Sequence, residues 1–250
     1  MIGVILAAGM AKRLRPLTDA CPKCLLKIGE RTLLQRTVDA MLAAGINELV
    51  VVTGYRAEMI REFLTNRYLS PLTSHPSPLK IHFIHNADYE HNNNIFSLWM
   101  TRPYTEGKDF LLSDSDILFD PQLIRAVLAA EGNALALNRH ECGEEEIKVI
   151  VDADNRIMEL SKTCSIEKAI GESVGFEKMT AAYSTALFKE LEQMIEREGL
   201  IDVFYERAFE RLIPQGHTFR IVDTTNFFSI ELDTPEDFEN AKQLIPAALY

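Results

Sequence analysis

No stretch of this sequence approaches the roughly 18 apolar residues that span a bilayer, so membrane insertion is not expected. The opening run, MIGVILAAG, has no basic residue ahead of its apolar segment and lacks that mark of a secretory signal. It reads instead as the buried first strand of a cytoplasmic protein. Cysteine is scarce as well. Cys21, Cys24, Cys142 and Cys164 are too few and too scattered for a disulfide framework. Cys21 and Cys24 form a Cys-x-x-Cys, but a structural zinc site takes about four close ligands and no second pair is present. A redox pair would open a helix, whereas Pro22 and Lys23 lie in a polar loop. Basic residues are also in deficit, 26 Lys and Arg against 37 Asp and Glu, for a formal charge of −11. That balance excludes a broad nucleic-acid surface, which needs clustered cations. A small anionic substrate fits only where positive charge is concentrated.

What is present is an ordinary globular composition, 47% hydrophobic and 25% charged, over 250 residues. Apolar runs alternate with helical patterns, as in an α/β fold with a doubly wound, mostly parallel, Rossmann-like sheet. Strands are expected at 2–7, 48–54, 80–86 and 109–119, and helices at 33–45, 57–68, 95–100 and 121–132. A Pro- and Ser-rich loop over 69–79 is too short to link domains. Beyond residue 133 the texture becomes α+β. Strands fall within 133–179, helices at 185–198 and 202–213, strands at 217–222 and 227–231, and a last helix starts at TPEDF. One domain is expected over 1–250, with a nucleotide-binding half at 1–132 and a second pocket-shaping half at 133–250. Ligands of such sheets bind beyond the carboxyl ends of the strands, which places the loop after the first strand and the acidic end of the fourth on one rim.

Two constellations on that rim carry chemistry. The stretch LAAGMAKRLRPLTDACPKCLLKIG is neither a Walker A motif nor a dinucleotide fingerprint, since Ala11 and Leu14 stand where glycines would be needed. It does combine small residues (Ala7, Ala8, Gly9) with Lys12, Arg13, Arg15 and Lys23. A triphosphate carries about four negative charges, which such a loop suits on electrostatic grounds; a plain basic surface loop has the same composition. The second is SDSDILFD. Asp114 or Asp116 at a strand end beside phosphate-binding cations is a natural Mg²⁺ ligand, and an Asp-rich turn is the alternative. Asp233, in IELDTPEDF, is either a further ligand or part of a helix cap.

These residues resemble the N-terminal signature of the nucleotidyltransferases that make activated sugars and alcohols from NTPs, roughly L-A-A-G-x-G-x-R-L-x-P-L-T-x-x-x-P-K-x-L. Ala11 is the one departure, where a second glycine is usual. The resemblance implies that Arg13 and Lys23 hold the triphosphate. It also implies that the backbone from Leu6, Ala7, Ala8 and Gly9 to Met10 contacts the nucleoside, and that Asp116 and Asp233 bind Mg²⁺. Within the family, NADYEHNNNIFSLW and ELSK are more similar to the branch of bacterial CTP:phosphocholine cytidylyltransferases and their phosphoethanolamine and phosphonate relatives than to the sugar-1-phosphate enzymes. Asn86 and Asn93 are then expected near the nucleoside, and Lys162 at the acceptor phosphate. Asp202, Phe204 and Tyr205, in DVFYER, match a choline-contacting segment, and the family implies CTP and a small phosphorylated acceptor as partners, in a monomer or homodimer. Carboxylates such as Glu145 or Glu146, in GEEEI, suit a primary ammonium, unless this acidic run is simply a solvated face. Two other readings stay open. One is a sugar- or inositol-1-phosphate nucleotidyltransferase, the other a non-catalytic nucleotide-sensing domain.

Overall fold

A computed structural model describes residues 1–70, 79–144 and 146–250. Most of the loop expected over 69–79, and Glu145, lie outside the described residues. Strand β1 (Ile2–Ala7) is followed by a short hairpin, β2 (Lys27–Ile28) and β3 (Arg31–Thr32), which the apolar pattern did not announce. Then come α1 (Leu33–Ala43), β4 (Glu48–Thr53), α2 (Ala57–Leu64), β5 (Lys80–His85), α3 (Asn94–Met100), α4 (Arg102–Thr105) and β6 (Phe110–Asp114). After β7 (Ile117–Phe119), α5 (Gln122–Ala129) leads into β8 (Ala134–Asn138), β9 (Lys148–Val151), β10 (Ile157–Ser161) and β11 (Gly171–Met179). The chain closes with α6 (Ala181–Glu192), α7 (Glu206–Leu212), β12 (Arg220–Asp223), β13 (Ser229–Glu231) and α8 (Pro235–Leu244).

The core of the fold is the parallel run β6-β1-β4-β5. Every residue of β1 is buried, and five of the six in β4, which is why both read as unbroken apolar runs rather than alternating ones. Two layers of helices cover the sheet. One apolar cluster joins Val4, Leu6 and Leu112 to Leu187, Phe188 and Phe209, and the other joins Ile5, Val51 and Leu111 to Leu34, Val38 and Ile124. Each such side chain contributes about 1.5–3 kcal/mol when fully buried. Strand β11 then pairs antiparallel with β6, β8 and β9. The sheet is therefore mixed, with its parallel core in the N-terminal half, and it runs through both halves of the chain.

The segment expected as a single strand over 109–119 is two. The backbone leaves the sheet after Asp114, and β7 pairs instead with β13 in a separate ribbon that sets Ile117 opposite Glu231. Ser115 and Asp116 form the break. The Leu232 N–H donates to the Asp116 carbonyl (3.2 Å), so the ribbon draws a late segment onto an early one. Helix α6 starts earlier than its apolar pattern alone implied, because the Thr180 side chain caps it by accepting from the Tyr183 N–H (3.4 Å). Helix α1 stops at Ala43, two residues before Gly45 adopts φ +86°.

Candidate active site

A cleft of about 750 Å³ opens at the carboxyl ends of the parallel strands, the place such sheets reserve for ligands. At one end its wall is the loop after β1. Leu6, Ala7, Ala8, Gly9, Ala11, Lys12 and Arg13 all line it; Met10 is not among the lining residues. The next strand supports this loop closely. The Tyr55 N–H donates to the Ala8 carbonyl (2.9 Å), and a Cβ on Gly54 would lie 2.6 Å from that same oxygen. Ala11 stands in the left-handed conformation, φ 46° and ψ 53°, at a cost of about 1–2 kcal/mol for an L-residue. Its carbonyl is held in return by the Leu14 N–H and the Thr18 hydroxyl, each at 3.0 Å. The departure from the signature therefore keeps a backbone that glycine would adopt at lower cost.

Lys23 leads a 3-10 turn behind Pro22 and is itself buried. Its Nζ donates to Asp116 Oδ2 at 2.9 Å and to Asp233 Oδ1 at 2.8 Å, while the Arg13 guanidinium pairs with the other oxygen of Asp233. Four residues from three distant segments thus meet at one point. Burial works against the Lys23 ammonium, yet the Asp116 and Asp233 carboxylates outweigh it and raise its pKa above the usual lysine range. For Asp233 burial would raise the pKa, and Lys23 and Arg13 together bring it below the ordinary value.

A third carboxylate joins them. Asp116, Glu231 and Asp233 each offer one oxygen within 4.8 Å of the others. Glu231 went unmarked in the sequence, although the spacing Glu231-x-Asp233 at the end of a strand puts both on one face. Its place in the cleft, and then the charges of Asp116 and Asp233, push its carboxyl up to about 8. An all-carboxylate set of this size suits a hard divalent cation such as Mg²⁺, and it is the Lys23 ammonium that bridges two of its members here.

The helix α3 side of the cleft carries asparagines. Asn86 is buried and donates to Asn92 Oδ1 (2.8 Å) and Ser97 Oγ (3.1 Å). Asn93 caps α3 by accepting from the Asn94 N–H (2.8 Å). Asn86, Asn92, Asn93 and Asn94 all line the cleft, so capping and lining are combined in the same run.

The far end is acidic. Glu146, Glu172 and Glu206 line it together with Lys162 and Phe204. Of the segment DVFYER, the residues brought to the cleft are Phe204 and Glu206, not Asp202 and Tyr205. Asp202 is exposed on the surface outside the cleft lining. Tyr205 turns inward against Phe209, ring centroids 5.3 Å apart, and its hydroxyl donates to Asp114 Oδ2 (3.0 Å). Residues alternate here, so the aromatic that reaches the cleft is the neighbour. The Lys162 Nζ lies 5.0 Å from the centre of the Phe204 ring.

Neither thiol of the Cys-x-x-Cys is disposed to react. Burial pushes up the pKa of both Cys21 and Cys24, the opposite of what a thiolate nucleophile or ligand needs.

The chain is 26% identical over 95% of its length to a CMP-5'-(3-aminopropyl)phosphonate synthase of Streptomyces rubellomurinus, of which it spans only 38%. It is 25% identical to a choline-phosphate cytidylyltransferase of Streptococcus pneumoniae, covering 98% of both chains. The solved inositol-1-phosphate CTP transferase of T. maritima superposes with a TM-score of 0.77 at 21% identity, over 100% of this chain and 93% of that one. The MobA-like NTP transferase domain matches residues 3–212, a span that holds the loop after β1, Lys23, Asp116 and Glu206. A parallel core, a glycine-turn loop with buried and exposed cations, and a match across most of the sequence make this chain a member of the MobA-like NTP transferase family.

Proposed function

We propose that the protein is a cytidylyltransferase, which transfers CMP from CTP to the phosphate or phosphonate oxygen of a small acceptor. That oxygen attacks the α-phosphorus, a new P–O bond forms, the bond to the β-phosphate oxygen breaks, and pyrophosphate leaves. The carrying observation is the junction of Lys23, Arg13, Asp116 and Asp233 beside the loop after β1. The choice of cytosine draws its support from the relatives, each of which is named for CMP or CTP chemistry.

The chain's own residues do most of the work by placement and charge. Backbone from Leu6 to Gly9 approaches the nucleoside, with Asn86 and Asn93 across the cleft. Arg13 and Lys23 take the triphosphate, Arg13 from the cleft mouth and Lys23 from within the wall. Lys162 meets the acceptor phosphate. Asp116, Glu231 and Asp233 would hold Mg²⁺, which when bound neutralises phosphate charge. Lys23 then leaves the carboxylates for phosphate.

Pyrophosphate release, measured with each of four NTPs against phosphoethanolamine, phosphocholine, 2-aminoethylphosphonate, inositol phosphate and a sugar 1-phosphate, tests the reading. Turnover confined to CTP, abolished by a chelator and restored by Mg²⁺, is the expected result; turnover with another NTP, or with none, overturns it. Inositol 1-phosphate is the second acceptor reading, favoured by the T. maritima neighbour that the chain matches over its whole length.

A further inference from the structure

The acceptor end of the cleft is built for a positive charge that carries N–H donors. Among the described residues, eight carboxylates line the cleft (Asp114, Asp116, Glu146, Glu172, Glu206, Glu231, Asp233 and Asp237) against four cations, and three of those cations, Lys12, Arg13 and Lys23, belong to the nucleotide end. Lys162 is the cation that lines the acceptor end beside Glu146, Glu172 and Glu206.

Glu206 decides the chemistry. It is only 7% exposed, it lines the cleft, and its Oε2 has no hydrogen-bond partner. Glu146 Oε2 is buried and unpartnered in the same way. A buried carboxylate oxygen without a donor is an expensive feature to keep, since it forfeits hydration without regaining a hydrogen bond. Desolvation accordingly raises the Glu206 carboxyl to about 7, against which Lys162 acts in part. A ligand that brings N–H groups to this wall would remove the penalty.

A quaternary ammonium cannot do that, because it has no N–H. It is held by aromatic faces, and the aromatic residues lining the cleft are Tyr89 and Phe204. Phe204 already faces the Lys162 ammonium, and Tyr89 packs edge-on against Tyr55 with centroids 6.3 Å apart. No cage of several faces is left among the described residues.

We propose that the acceptor is a phosphate or phosphonate ester bearing a protonated primary amine, seated against Glu206. This rests on the cytidylyl-transfer reading and narrows its acceptor. The test measures kcat and KM with CTP for three acceptors of similar size, phosphoethanolamine, phosphocholine and ethyl phosphate, in the wild type, Glu206→Gln and Phe204→Ala.

In the wild type, kcat/KM for phosphoethanolamine should exceed that for each of the others by at least about tenfold, the scale of one hydrogen bond to a charged group. Glu206→Gln should raise the phosphoethanolamine KM by about tenfold or more, with KM for CTP unchanged as the sign of an intact fold. Phe204→Ala should cost less than Glu206→Gln. Equal use of ethyl phosphate or phosphocholine, or an unaltered KM in Glu206→Gln, overturns the proposal while leaving cytidylyl transfer standing. Absence of turnover with CTP and all three acceptors brings down both.

Discussion

The two ends of the cleft solve charge in opposite ways. At the nucleotide end every cation that matters already has an anion: Lys23 spans Asp116 and Asp233, and Arg13 pairs with Asp233. At the acceptor end carboxylates outnumber cations, and Glu206 and Glu146 each keep an oxygen without a donor. In the proposed reaction the first end, paired as it stands, exchanges partners to work. The second waits for a ligand to complete it. Substitutions at the nucleotide end should therefore act on turnover, and those at the acceptor end on specificity and on the stability of the free protein.

The largest effect is expected from Asp116→Asn combined with Asp233→Asn, which removes two oxygens of the candidate metal set and both partners of Lys23. A loss of about 10³-fold or more in kcat/KM should accompany loss of Mn²⁺ binding by electron paramagnetic titration. Retained Mn²⁺ binding would break the comparison at its paired end. Arg13→Ala should do less, about 10-fold to 100-fold in kcat/KM for CTP, because this side chain is 62% exposed and water screens its charge; steady-state kinetics over a range of CTP decides it.

Glu206 offers a sharper contrast, in stability rather than rate. Burial holds the neighbouring Asp114 and Glu177 carboxyls well above the ordinary carboxylate range, Glu210 adds another carboxylate, and Lys162 is the opposing cation. At low pH Glu206 is protonated whether the chain is folded or not. As pH rises past the ordinary carboxyl range the unfolded chain ionises first, so the folded state loses stability until about pH 7, where its own Glu206 gives up the proton. Glu206→Gln removes that loss. Its Tm should exceed the wild type by about 5 °C at pH 8 in the absence of ligand, with the gap closing toward pH 5. A gap that does not change with pH would mean that Glu206 is ionised at no cost.

How much of this was legible in the sequence follows the same division. The nucleotide end is nearly contiguous: Leu6 to Arg13 and Lys23 lie within eighteen residues, so spacing alone brings them together. The parallel strands were equally plain, since burial on both faces makes them continuous apolar runs. A strand was expected at 227–231, but its pairing with β7 was not legible, because the paired strands are three residues long and 109 residues lie between Phe119 and Ser229. Glu231 was lost with it. At the acceptor end the segment DVFYER is marked in the sequence, but the side on which each residue falls depends on how Tyr205 packs against Phe209. Of the three residues marked there, the structure brings Phe204 to the cleft, leaves Asp202 and Tyr205 out of its lining, and adds Glu206. Cys21 and Cys24, prominent as a motif, flank Lys23, the residue that reaches Asp116 and Asp233.

The smallest effect is expected at Ala11. Glycine relieves the left-handed strain of about 1–2 kcal/mol but adds about 0.5–1 kcal/mol of unfolded-state entropy. Ala11→Gly should therefore be more stable by about 0.5 kcal/mol in a urea titration, with activity unchanged. A destabilised variant would show that the alanine methyl makes contacts worth more than the strain.

The central claim is that Lys23 serves phosphate, and that Asp116 and Asp233 hold it in the meantime. The direct measurement is pyrophosphate release by Lys23→Ala at saturating CTP and Mg²⁺ with phosphoethanolamine. A fall in kcat of about 100-fold or more is predicted; wild-type turnover in that variant would contradict it.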